Sequence, residues 1–229
     1  MTPLVEKYRP RTIHDFAGLD RPRAVLSQLA TQPYCSAWLF LGPSGLGKTT
    51  MALAFSEQIG AELHHVPSRK CDLQTVEEVV RSCWYVPMTG QWHVVLVDEA
   101  DQMSSPAQLA FLSKLDATAA PPNTIFIFTA NATDHLEDRF LSRCRTVRFQ
   151  PCDIAKPAVE LLETIWRSET TLPQRDFQGI LQRAQWNIRQ AIMDLELEIL
   201  APSRPRELQP INAFMPPSQR ALLRDRGEA

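Results

Sequence analysis

Gly42-Pro43-Ser44-Gly45-Leu46-Gly47-Lys48-Thr49 sets three glycines within six positions and follows them with a lysine and a hydroxyl. Glycines let backbone N–H groups face an anion, and a helix start adds positive potential at the same place. The pattern G-x-x-x-x-G-K-[ST] is a phosphate loop when it follows a strand and opens a helix. In that chemistry Lys48 reaches the β- and γ-phosphates, the Thr49 hydroxyl ligates Mg²⁺, and Thr50 completes the nucleotide-binding run.

Fifty residues beyond Lys48, Val94-Val95-Leu96-Val97 ends in Asp98-Glu99-Ala100-Asp101. An apolar strand that delivers acids at its C-terminal end places them where open α/β sheets bind ligands. Asp98 is the expected Mg²⁺ partner, and Glu99 the base that polarises an attacking water. A fourth strand, Ile125–Thr129, ends in the amide of Asn131. Ser142-Arg143-Cys144 puts an arginine at a rim too far round to serve its own nucleotide. It is placed instead to reach the site of an adjacent subunit as an arginine finger. The competing expectation is a surface pair with Glu137 or Asp138, and Arg139 is the rival finger. Arg189 opens a late helix, where it either touches the phosphates or stands solvated.

These residues need a scaffold that brings strand ends together. Short apolar runs at Ala37–Leu41, Glu62–Val66, His93–Val97, Thr124–Thr129 and Thr146–Phe149 alternate with helical patterns at Lys48–Gln58, Leu73–Cys83 and Ser105–Leu115. That alternation predicts βαβ units and a doubly wound parallel five-stranded sheet. After Pro151 only helical patterns follow, best seen in the stripe Ile188, Ala191, Ile192, Leu195 and Ile199. The expected division is an α/β nucleotide-binding domain over 1–152, a small all-helical lid over 153–201 and a proline-rich tail over 202–229.

The 229 residues are 44% hydrophobic and 22% charged, enough for a real core and too few for three domains. A net charge of −2 excludes a dedicated basic nucleic-acid binder, so any such contact is local. Residues 1–30 and 202–229 each carry five basic and three acidic groups, against fourteen and twenty between them. Five cysteines without a C-x-x-C pair argue against a disulfide framework and a zinc ribbon. His64-His65, the five tryptophans and Met103 read as packing, and Cys144 as a buried thiol. No apolar leader or membrane-length stretch is visible, so the expected location is cytoplasmic, nucleoid-associated, or nuclear in a eukaryote.

Together these motifs resemble the AAA+ ATPases of the sliding-clamp loader group, and most closely the small subunits of replication factor C, over about residues 4–200. Val5-Glu6-Lys7-Tyr8-Arg9-Pro10 is similar to the family's opening box, which lies against adenine and implies nucleotide contacts for Val5, Tyr8, Arg9 and Pro10. The resemblance extends to Phe16-Ala17-Gly18, the phosphate loop, Val97–Asp101 and the Ser142-Arg143-Cys144 box. It also includes Asn131, which the family implies places the lytic water. The family's Gly-Asp-Met-Arg around the lid arginine reads Trp186-Asn187-Ile188-Arg189 here. Its C-terminal helical collar has no room in the 28 residues after 201.

The resemblance implies ATP and Mg²⁺, a homo- or hetero-oligomer with ATP at its interfaces, primer-template or duplex DNA, and a sliding clamp. DNA phosphates would meet helix starts near Gln74 and Ser105, with Arg69, Lys70, Thr75 and Ser105 as contacts. The expected function is that of a clamp-loader-like replication ATPase. The alternative is a collarless scaffold of the transposition-targeting or helicase-loading type, whose ATP-bound oligomer on DNA is the active species.

Overall fold

The computed structural model describes residues 2–67, 71–116 and 119–201. Five strands, β1 (Ser36–Leu41), β2 (Glu62–Pro67), β3 (His93–Asp98), β4 (Thr124–Ala130) and β5 (Arg145–Arg148), form one parallel sheet in the order β2-β3-β4-β1-β5. The three central strands are buried nearly throughout, as their unbroken apolar runs require in a sheet covered on both faces. The edge strands β2 and β5 bury few side chains.

Helices α1 (Leu4–Lys7), α2 (Asp20–Thr31), α3 (Lys48–Gln58), α4 (Leu73–Ser82), α5 (Ser105–Leu115) and α6 (Asp138–Leu141) surround the sheet. One face carries α4, α5 and α6: Val76, Val80, Phe111 and Phe140 pack with Leu39, Val97, Phe126 and Phe128. Phe111 meets Phe128 edge-on at 5.2 Å between ring centroids, and Phe140 meets Phe128 at 4.8 Å, both favoured aromatic geometries. Side chains of opposite parity point to the other face, where α3 packs against β3 and β4.

The helix starts have local causes. Asp72 caps α4 by accepting from Thr75 N–H at 2.8 Å, and Ser104 caps α5, where Pro106 sits in the first turn. Helix α2 was not anticipated from sequence. It follows Leu19, which has φ 57° and offers no capping side chain, so only Asp20 and Pro22 in its first turn mark the start. Strand β5 begins one residue earlier than the pattern suggests, and Phe149 N–H still donates to Leu41 O at 2.8 Å.

Beyond β5 come α7 (Ala155–Glu169), α8 (Phe177–Arg183) and α9 (Ile188–Leu200). Residues up to Glu196 form one compact unit, and Leu197 begins a second. The sheet and α7, α8 and most of α9 therefore lie in the same unit. Among the described residues no helix is long and apolar enough to cross a membrane.

Candidate nucleotide site

The sheet order sets β1 beside β4 and β4 beside β3, which aligns Leu41 with Ala130 and Val97 with Phe128. The residues that continue these strands, Gly42, Asn131 and Asp98-Glu99, meet at one edge. Two positions need glycine. A Cβ on Gly42 would stand 2.1 Å from Phe149 O, and Gly45 has φ +77° with Asn187 Oδ1 only 1.8 Å from where its Cβ would be.

Lys48 is 8% exposed. Its ammonium donates to Gly42 O at 2.7 Å, Pro43 O at 2.9 Å and Asn131 Oδ1 at 3.0 Å. Burial pulls its pKa down to about 8, opposed by the carboxylates of Asp101 and Asp98. Thr49 Oγ1 donates to Asp98 Oδ1 at 2.6 Å. Glu99 has φ +55°, a left-handed conformation that costs a residue with a Cβ about 1–3 kcal/mol. That turn carries the Glu99 side chain out of the strand to solvent.

Two members of this cluster had no role assigned from the sequence. Thr129, 2% exposed, donates to Asp98 Oδ1 at 2.5 Å and accepts from Glu99 N–H at 3.0 Å. Asp101 Oδ2 accepts from Asn131 N–H at 3.4 Å, whereas its buried Oδ1 has no hydrogen-bond partner. A hydroxyl inside Thr124-Ile125-Phe126-Ile127-Phe128-Thr129 and a second acid after the strand were the available signals.

A cavity of about 100 Å³ opens on Ser44, Lys48, Thr49, Asp98, Glu99, Thr129, Asn131 and Arg189. A second, of about 260 Å³, is lined by Val5, Tyr8, Arg9, Pro10, Leu46 and Thr50, with Leu161, Ile188 and Ile192 from the helical segment. Gly45, Gly47 and Arg189 border both. A polar pocket thus adjoins a mixed one, as the two ends of a nucleotide require.

The helical segment is tied to this cavity at several points. Lys7 Nζ donates to Glu169 Oε1 at 2.7 Å, and Tyr8 hydroxyl donates to the same oxygen. These bonds hold the Glu169 carboxyl below its ordinary pKa. Asn187 Oδ1 caps α9 by accepting from Gln190 N–H at 3.0 Å, which sets Arg189 at the cavity rim. Trp186 has φ +61°. The residue where the resembled family has glycine is therefore left-handed here, although it bears a large side chain.

Several expectations are corrected. Arg143 pairs with neither Glu137 nor Asp138: its Nε donates to Asp116 Oδ1 at 2.7 Å and its Nη1 to Arg139 O at 3.0 Å. Arg139 takes Glu137 instead, at 3.0 Å. Arg143 is not among the residues lining either cavity. Trp84 is 56% exposed rather than packed, next to Tyr85, Val86 and Met88, which are more exposed still. His64 does have a partner cluster, since its Nε2 lies 3.0 Å from His93 Nδ1. Burial pushes the Cys144 thiol up to about 12, in keeping with a buried thiol. Thr75 and Ser105 stand in the first turns of α4 and α5, whereas Arg69, Lys70 and the tail from 202 lie outside the described residues.

Parallel topology, glycine-bearing loop and acidic strand end define a P-loop α/β fold. Residues 38–152 match the family described as "ATPase family associated with various cellular activities (AAA)", and the chain belongs to that family. It is 31% identical over 201 residues to the replication factor C small subunit 1 of Pyrobaculum aerophilum, an alignment covering 84% of this chain and 60% of that one. It is 29% identical over 202 residues to replication factor C subunit 3 of Blastobotrys adeninivorans, covering 85% of this chain and 59% of that one. The chain thus spans about three fifths of the length of these relatives. Among solved structures, the Thermotoga maritima RuvB Holliday junction branch migration motor matches with TM-score 0.62 at 17% identity, covering 84% of this chain and 67% of that one, which shows the shared fold.

Proposed function

We propose that this chain hydrolyses ATP as a subunit of a clamp-loader-like assembly acting on primer-template DNA. The observation that carries the reading is the convergence of Lys48, Thr49, Asp98, Glu99 and Asn131 on one pocket beside a cavity lined by Val5, Tyr8, Arg9 and Pro10. Similarity to replication factor C small subunits supports the choice of assembly. In this reading residues 153–201 act as a lid.

Lys48 exchanges its carbonyl partners for the β- and γ-phosphates, which favours its charged form. The hard oxygens of Thr49 and Asp98, 2.6 Å apart, suit Mg²⁺, which when bound neutralises phosphate charge. Asn131 orients a water in line with the γ-phosphorus, and Glu99 accepts its proton as the new P–O bond forms and ADP leaves. Arg189 reports the phosphates to the lid. Arg143 of one copy stabilises the transferring phosphoryl in its neighbour, after leaving Asp116. That exposed ion pair is weak enough to exchange. The partners are other copies or homologous subunits, DNA phosphates at the starts of α4 and α5, and a sliding clamp.

The test is steady-state ATP hydrolysis with primed DNA, with and without a clamp. Stimulation by both together, lost in Arg143→Ala, supports the reading. Stimulation by DNA alone, with cooperative growth of long assemblies, would replace the loader with a DNA-bound scaffold. Unchanged hydrolysis by assembled Arg143→Ala would remove the interfacial site.

A further inference from the structure

Away from the nucleotide pocket, His64 of β2, Cys83 at the C-terminal end of α4 and His93 of β3 bring their donor atoms within 4.8 Å of one another. Cys83 is fully buried and His93 is 2% exposed. No sequence spacing announces the cluster, because its members come from three elements.

The hydrogen bonds fix its chemistry. His93 Nε2 lies 3.0 Å from Tyr85 O. A carbonyl only accepts, so Nε2 carries the proton, and in the neutral ring Nδ1 is a bare lone pair. That lone pair faces His64 Nε2 at 3.0 Å. A histidine whose far nitrogen donates to a backbone carbonyl is held in the orientation and tautomer of a metal ligand. Donor nitrogens sharing a tetrahedral zinc at about 2.0–2.1 Å each stand about 3.3 Å apart, close to the spacing here. Glu62 is directly opposite His93 in the strand register and two residues from His64, so all three share one face of the sheet. Its Oε2 is 4.0 Å from His93 Nδ1 and accepts from Met88 N–H at 2.6 Å.

We propose that His64, Cys83 and His93 bind Zn²⁺, with Glu62 closing the fourth position. Imidazole and thiolate donors together select zinc over the oxygen-preferring Mg²⁺ of the nucleotide pocket. On binding, Cys83 releases its thiol proton to solvent and His64 carries its ring proton on Nδ1, freeing Nε2. Half-buried His64 and Glu62 leave a route of entry. The ion joins the end of α4 to the β2–β3 edge, and so anchors both ends of the exposed apolar stretch Trp84–Met88.

The experiment uses the full chain without nucleotide: metal content after desalting, then removal of metal and titration with Co²⁺. The expected result is one zinc per chain and a thiolate-to-cobalt charge-transfer band that Cys83→Ser abolishes. Half-buried His64→Gln, which can be read even if Cys83→Ser fails to fold, lowers Co²⁺ affinity by about tenfold or more with unchanged circular dichroism. Asp98→Asn keeps both the metal and the band, which separates the site from the nucleotide pocket. Metal below about a tenth of an equivalent with no band in the folded wild type would overturn the proposal, as would a band that survives Cys83→Ser.

Discussion

Thr129 Oγ1 holds Asp98 and Glu99 in register, donating to the Asp98 carboxylate at 2.5 Å and accepting the Glu99 N–H at 3.0 Å. One buried hydroxyl on β4 thus fixes the two acids at the end of β3. Thr129→Val keeps the shape and removes both bonds, leaving the Glu99 N–H unpaired. It is expected to cost about 1–3 kcal/mol of stability and about tenfold in kcat, with ATP affinity nearly unchanged. Denaturant unfolding and steady-state kinetics check this; a loss confined to ATP affinity would contradict it.

Lys48 gives the nucleotide affinity a pH dependence of known sign. Without ligand its pKa is about 8, lowered by burial. A polyphosphate favours the charged form, so binding takes up a proton once the free lysine has lost its own. Nucleotide phosphates are already ionised in this range. Affinity for ATP should therefore be flat below pH 7.5 and fall by about tenfold per unit above pH 8. Equilibrium titration with a fluorescent ATP analogue from pH 7 to 9.5 tests it, and a flat profile would refute it.

Asn187 both caps α9 and abuts Gly45, which joins helix start to phosphate loop. Asn187→Ala should lower stability by about 1 kcal/mol and Tm by roughly 2–4 °C. Because the cap aims Arg189 at the cavity, ATP affinity should weaken as well. Thermal unfolding with and without ATP separates the two effects, since a purely local cap would lower both melting points equally.

The bounds of α3 and α5 were legible to the residue, and α9 and the central strands nearly so. Their apolar periodicity and start signals are local. The nucleotide pocket was legible because its main parts are contiguous runs at strand ends, so topology alone brings them together. What sequence concealed depends on register and tertiary pairing. The Thr129 bonds, the Asp116 partner of Arg143 and the His64–Cys83–His93 cluster each join residues from separate elements. Trp84 carried a core residue's composition, yet it follows the end of α4 and turns outward. Trp186 occupies a left-handed position by tertiary constraint, which propensity does not foresee.

The most direct test of the account separates binding from turnover at Glu99. This exposed side chain should act only when the attacking water loses its proton, so Glu99→Gln should bind an ATP analogue with about wild-type affinity. Single-turnover hydrolysis should fall by about a hundredfold or more. Turnover close to wild type, or loss of nucleotide binding in the folded variant, would contradict the role of Glu99 and with it the central claim.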